Sequence, residues 1–307
     1  MRSRLLTVIA LAGGLAAGSA CGGGENGASP IRLALDFQPN AVHAGIYMAP
    51  DGLEVRIPSA SSDSIRLLAA GRADLAVVDI HDLALARERG RDLVGVGALV
   101  QRPLAAVIAR RGIRRPRDLA GRRVGVTGLP SDDAVLRAVL ESDGASLSDV
   151  SRVTIGFSAV PSLIARRVDA VVAFWNAEGV TLRRRGVATR EFRVDRYGAP
   201  RYPELVVATT RETLEGRPEL VRDGLAKLRE GTRRALSRPA AAVERIATVS
   251  SEDEAVVRAQ LRALAPAFRP PLRLRRRALE AWAAFDVRFG ILRRAPDLDR
   301  AFAVGIR

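Results

Sequence analysis

The chain has 307 residues, of which 48% are hydrophobic and 27% charged, enough apolar side chain to build the core of one large or two medium domains. Its formal charge is +15, yet the arginines are scattered and densest only at Arg273, Arg275, Arg276 and Arg277, a pattern of solvated helical faces rather than of a nucleic-acid interface. The single cysteine, Cys21, excludes an internal disulfide, and the single lysine, Lys227, confines any lysine chemistry to one position.

Arg2 and Arg4 precede an apolar run from Leu5 to Ala17, and the small residues Gly18-Ser19-Ala20 lead to Cys21. This is the layout of a secretory signal peptide over residues 1–20. The run is shorter than the ~20 apolar residues that a membrane-spanning helix needs. Cys21 is followed by Gly22-Gly23-Gly24-Glu25-Asn26-Gly27 and reads as a lipidation site, with residues 21–30 as a flexible tether. Ordinary cleavage after Ala20, leaving a free thiol, is the alternative. The expectation is an exported body anchored by lipid to the outer face of the cytoplasmic membrane.

Beyond the tether, Ile31 to Leu35 alternates as a strand and Asp36 to Asn40 forms a turn, with Asn40 capping a short helix through Met48. Leu53 to Ile57 is a second strand, Ser61 to Ala70 has helical spacing, and Asp74 to Val78 is a third strand. That helix-to-strand unit recurs: "SIRLLAAGRADLAVVD" (Ser64 to Asp79) is similar to "SLIARRVDAVVAFW" (Ser162 to Trp175). Asp74 and Asp169 are then turn residues of two similar α/β lobes with mostly parallel sheets. Near Ile113 the second lobe starts, with a strand at Arg123 to Val126. Its next helix, capped by Ser131, has Asp132 and Asp133 in the first turn, where they complement the helix dipole. Strands follow at Val153 to Phe157, Val168 to Phe174 and Glu204 to Thr209, and the rest is nearly all helix. Residues 31–110 and 204–307 are assigned to the first lobe and residues 111–203 to the second.

Three segments carry a resemblance. "LALDFQPNAVHAGIYMA" (Leu33 to Ala49), "FWNAEGV" (Phe174 to Val180) and the frame around them are similar to the family of thiamine-pyrimidine-precursor binding proteins, the ThiY type. The first two segments are specific; the frame is shared with sulfonate and nitrate binders. The resemblance implies an α/β periplasmic-binding-protein type II fold, two lobes with a ligand cleft between them and a helical C-terminal region. It also implies a solute-binding, non-enzymatic role beside an ABC permease and its ATPase. The pocket candidates it carries over are Asp36, Phe37, His43, Tyr47, Phe174, Trp175, Asn176 and Glu178. Family members usually have Trp in place of Phe37, often Tyr in place of Phe174, and a longer segment between Met48 and Gly52.

The residues themselves give a consistent reading. Ligands of open α/β sheets bind outside the carboxyl ends of the strands. Phe37 offers a stacking face for a flat aminopyrimidine, and Glu178, in a loop, an acceptor for its amino edge. Asn40 joins the candidates as the cap beside them. His43 and Tyr47 share a helical face, and a structural role is open for His43. Trp175 either lines the pocket or packs under the sheet. Ser131 marks a helix N-terminus that could also take an anion, and Tyr202 stands near the crossover as a hinge candidate. His81 is read as a surface residue. Riboflavin or another flat heterocycle is the alternative ligand, then a small sulfonate or nitrate-like anion, which Glu178 would repel. A pyrimidine-precursor synthase is the distant alternative: it needs a lysine at the cofactor, and Lys227 is far from both motifs. No catalytic, metal or cofactor motif is present, no nucleic-acid partner is expected, and the protein is expected to be a monomer.

Overall fold

The computed structural model describes residues 29–306 except Ser61, so the expected signal peptide, Cys21 and most of the tether lie outside the described residues. Two five-stranded sheets form its frame. The first begins with β1 (Ile31–Ala34), α1 (Ala44–Tyr47), β2 (Leu53–Arg56), α2 (Asp63–Ala69), β3 (Leu75–Asp79), α3 (Ile80–Glu88) and β4 (Leu93–Ala98). The second holds β5 (Ala105–Arg110), β6 (Arg123–Val126), α4 (Pro130–Glu141), β7 (Ser151–Thr154), α5 (Ala159–Ile164), β8 (Ala170–Phe174), α6 (Glu178–Arg184) and β9 (Thr189–Arg193). The chain then returns through β10 (Leu205–Thr210) to the first sheet. It finishes in helices α7 (Arg211–Gly216), α8 (Pro218–Ser237), α9 (Pro239–Ser250), α10 (Glu254–Leu264), α11 (Arg276–Arg288) and α12 (Leu298–Ala301).

The strand orders are β2-β1-β3-β10-β4 and β7-β6-β8-β5-β9. In each, three strands run parallel and the fourth is antiparallel to both neighbours, so the sheets are mixed where the sequence suggested mostly parallel ones. Each lobe thus receives its antiparallel strand from the crossover connecting it to the other. Strand β5 lies within residues 31–110, the stretch assigned to the first lobe, but it pairs with β8 over residues 105–109 and with β9 over residues 106–110. The chain therefore changes sheets between Leu99 and Leu104, before residue 110.

The internal repeat has a physical basis. In the first lobe the Asp74 carboxylate accepts the Arg32 backbone N–H at 3.0 Å, and the Asp74 N–H donates to the Arg32 carbonyl at 2.8 Å. In the second lobe Asp169 and Arg123 make the same two bonds at 3.0 and 2.8 Å. Each aspartate locks the start of one parallel strand to the start of its neighbour. Strand β3 is buried on both faces, which explains its unbroken apolar run.

The C-terminal helices cover the first sheet. Helix α8 crosses α1 so closely that a Cβ on Gly231 would fall 2.0 Å from the Gly45 carbonyl oxygen. Only glycine permits that contact, and it fixes the helix that follows the Asp36–Asn40 turn. No helix among the described residues is long and apolar enough to cross a membrane.

Candidate functional site

A cavity of about 100 Å³, partly open to solvent, lies between the two sheets. The first lobe contributes Asp36, Phe37 and Asn40 from the turn after β1, Asp79 at the end of β3, and Asp82 on α3. From the second lobe come Thr127, Ser131 and Asp132 around the start of α4, Phe157 after β7, and Phe174 and Glu178 after β8. Glu204 reaches it from the returning crossover. Nearly all stand at carboxyl ends of parallel strands, where diverging chain ends open a crevice.

Phe37 and Phe157 come from different lobes and meet edge to face, with ring centroids 4.4 Å apart and planes inclined at 65°. Asn40 caps the short 3-10 turn Ala41–His43: its side chain accepts the Val42 N–H at 2.9 Å. The Asn40 N–H donates to His43 Nδ1 at 3.3 Å. His43 therefore carries its proton on Nε2, which donates to Asp36 Oδ1 at 2.9 Å. Fully buried behind the turn, His43 orients the Asp36 carboxylate without lining the cavity.

Glu178 is the first residue of α6, not part of a loop, and its Oε2 accepts the Phe174 N–H at 3.1 Å. Burial pushes its carboxyl up from the ordinary glutamate range; donors from its own and the Phe174 backbone oppose the shift, and nearby Asp36 adds to it.

Other expected residues take structural places. Trp175 is buried outside the cavity, its Nε1–H donating to the Pro103 carbonyl at 3.2 Å, with the Arg193 guanidinium 3.8 Å from the ring centroid. Asn176 is fully buried and Tyr47 half-buried, and neither lines the cavity. Tyr202 is buried behind it, with its hydroxyl 3.1 Å from His81 Nε2. Ser131 is not the cap of α4: Leu129 holds that position, and Ser131 Oγ instead crosses between lobes to donate to Asp82 Oδ2 at 2.9 Å. The work of fastening the turn falls to Asp132, whose Oδ2 accepts Thr127 N–H, Thr127 Oγ–H and Gly128 N–H at 2.7, 2.8 and 3.1 Å.

His81 is the largest departure from the surface position expected of it. It is fully buried, with Nδ1 donating to Asp286 Oδ1 at 2.6 Å and Trp282 Nε1 3.1 Å away. Burial alone would lower its pKa, but Asp286 and then Asp79 more than reverse that and hold it at about 10. The imidazole is therefore an imidazolium at neutral pH. Asp79, His81 and Glu204 bring one donor atom each within 4.8 Å of one another. A metal bound there would have to displace the His81 proton; with that proton in place the group is a buried cluster of one cation and two acid side chains.

The cavity residues that went unnoticed as site candidates in the sequence include Asp79, Asp82, Phe157 and Glu204. Asp82 and Asp79 follow β3 as Phe174 and its neighbours follow β8, so the repeat itself held a signal for them. Phe157 and Glu204 had none, because they reach the cavity from a loop and a crossover.

These features define a class: two α/β lobes, exchanging one strand each, around a cleft at their strand ends. The same architecture occurs in the alkanesulfonate-binding protein SsuA from Xanthomonas axonopodis pv. citri, solved bound to MOPS. The two superpose with a TM-score of 0.71 over 90% of this chain and 99% of that one, at 20% identity, a likeness of fold alone. Residues 40–242 match the NMT1/THI5-like family, and the chain belongs to it. A formylaminopyrimidine-binding protein of Halalkalibacterium halodurans is 32% identical over 203 residues, 62% of each chain. A Haemophilus influenzae protein named for thiamine biosynthesis is 33% identical over 199 residues, 60% of this chain and 62% of its own. The chain thus spans somewhat under two thirds of these relatives. Weaker matches include a 4-amino-5-hydroxymethyl-2-methylpyrimidine phosphate synthase of Schizosaccharomyces pombe, 26% identical over half of this chain.

Proposed function

We propose that this is the solute-binding component of an ABC importer and that it captures a pyrimidine precursor of thiamine in the cleft. The observation that carries this reading is the pair Phe37 and Phe157, one ring from each lobe, with Asp36 and Glu178 beside them. A flat aminopyrimidine presents two π faces and an edge of N–H donors. The rings suit its faces and the carboxylates its edge. Seating a ring between both phenyl faces requires about 7 Å, two van der Waals separations, against the present 4.4 Å. The lobes would therefore part to admit the ligand and close on it, and contacts to both lobes would favour the closed form. The relative named for formylaminopyrimidine binding supports the ligand class.

In this reading the loaded protein delivers its ligand to a membrane permease. Export by residues 1–20 and lipid attachment at Cys21 would hold it at the membrane surface. A sulfonate or nitrate ligand fits poorly, because six carboxyl-bearing side chains line the cavity: Asp36, Asp79, Asp82, Asp132, Glu178 and Glu204. Among the described residues, no arginine, lysine or histidine lines it. The synthase reading lacks a lysine at the site: Lys227 Nζ lies on α8, 3.6 Å from Asp223. Calorimetric titration with aminopyrimidines and riboflavin tests the proposal. Binding of an aminopyrimidine, weakened at least about tenfold in Glu178→Gln as one charge-assisted hydrogen bond is lost, is the expected outcome. Riboflavin or an alkanesulfonate binding in preference to every pyrimidine would overturn the ligand.

A further inference from the structure

The cavity wall away from Glu178 is built from carboxyl groups whose bonding is half complete. Asp82 Oδ2 accepts from Ser131 Oγ, and Glu204 Oε2 accepts the Leu104 N–H at 2.9 Å. Asp82 Oδ1 is buried and has no hydrogen-bond partner, and Glu204 Oε1 is buried with no N–H or hydroxyl donor, the Asp79 carboxyl alone being within hydrogen-bonding reach of Glu204. These two residues are 5% and 0% exposed, and both line the cavity. Asp79 and Asp132 flank them there.

The charges do not balance either. His81, the cation nearest this wall, is engaged by Asp286 at 2.6 Å. That one cation also lies within 4.8 Å of Asp79 and Glu204, so it is shared among three acids, and no ion pair among the described residues engages Asp82 or Asp132. Burial accordingly pushes all four upward, Asp82 to about 6 and Asp132 to about 7. Each would ionise more readily beside a positive group. A buried carboxylate without a partner is costly, and natural sites complete such groups with a cation or a strong donor. Backbone and hydroxyl donors already hold one oxygen of Asp82, Asp132 and Glu204 in place, so the wall is preorganised to receive a group that only donates. A primary ammonium has three donors and no acceptor.

We infer that Asp79, Asp82, Asp132 and Glu204 form an ammonium subsite, and that the ligand is a flat heterocycle carrying a primary aminomethyl arm as well as its ring amine. This rests on the proposed pyrimidine reading and narrows it. Among pyrimidines sharing one ring, the deformylated aminomethyl form is a cation at neutral pH, whereas the formylated and hydroxymethyl forms are neutral on that arm.

The test is calorimetric titration of the purified protein at pH 7.5 or so with the aminomethyl, formylaminomethyl and hydroxymethyl pyrimidines, and with benzylamine against benzyl alcohol. The amine is expected to bind about tenfold or more tightly than the alcohol of the same ring, the scale of one charge-assisted hydrogen bond. In Asp82→Asn and Glu204→Gln that ratio should shrink toward one; both substitutions keep an oxygen to accept the existing donors. A formylaminomethyl or hydroxymethyl pyrimidine binding as tightly as the amine overturns the subsite while leaving the pyrimidine reading intact. If no pyrimidine binds but benzylamine still outcompetes benzyl alcohol, the subsite stands and the pyrimidine reading falls. Silence from both pairs overturns both.

Discussion

Replacing Phe37 with alanine isolates the aromatic contact from the polar ones. Phe37 touches Phe157 across the cleft at a centroid distance of 4.4 Å, and both rings are only half-buried. The substitution therefore removes little core packing, and its main effect falls on a bound ring. Stacking contributes about 0.5–1.5 kcal/mol beyond area burial. The apolar face of a small ring, roughly 40 Å² at ~25 cal/mol per Å², contributes about 1 kcal/mol more. Together these amount to about 1.5–2.5 kcal/mol, a loss of affinity of about 10- to 60-fold. Phe37→Leu keeps much of the burial and loses the stacking, so it should weaken binding by about two- to tenfold. Isothermal calorimetry with the pyrimidine of highest affinity gives both numbers, and a denaturation curve for each variant confirms an unchanged body. A Phe37→Ala protein that binds within about twofold of the parent refutes the reasoning, since the ring would then not touch the ligand.

Two further outcomes follow from the charges and the N-terminus. Asp82 and Asp132 hold protons in the folded protein to about 6 and about 7, against 3.8 for the ordinary carboxyl, so the folded state binds more protons than the unfolded one across that window. Ligand-free stability should fall as pH rises from about 4 to 7, and fall further as His81, at about 10 against 6.5, loses its proton. Asp74 acts oppositely: burial raises its pKa, but bonds from Arg32 and Arg217 outweigh that and hold it at about 2, a contribution lost as pH drops from about 4 through 2. Urea denaturation at a series of pH values reads all three, and stability that climbs steadily from pH 5 to 8 contradicts the buried-acid account. Separately, Cys21→Ser should move the protein from the membrane fraction to the soluble exported fraction without altering its affinity for ligand; unchanged membrane retention sinks the lipid-anchor reading.

Local patterns along the chain were enough to place the elements and their repetition. Alternating apolar residues from Ile31, the Asp74 and Asp169 turns and the recurrence of one helix-to-strand unit are local signals, set by backbone periodicity and turn chemistry. So are the residues just after β1 and β8, because position after a parallel strand places a side chain at a sheet end wherever the sheet lies. Asp36, Phe37 and Glu178 were legible in that way. The rest depends on contacts between residues far apart in the chain. Whether β5 joined the first or the second sheet depended on strand partners distant in sequence. From the sequence His43 is a pocket candidate and His81 a surface residue; both are buried by elements that arrive later in the chain, with Asp36 and Asp286 as their carboxylate partners. The acid wall is the clearest case. Asp79, Asp82, Asp132 and Glu204 are spread over more than a hundred residues, and each taken alone is an ordinary turn or cap residue. Their charges interact strongly only because folding removes the water between them, and no local pattern in a sequence records which carboxyl groups will share one dry cavity.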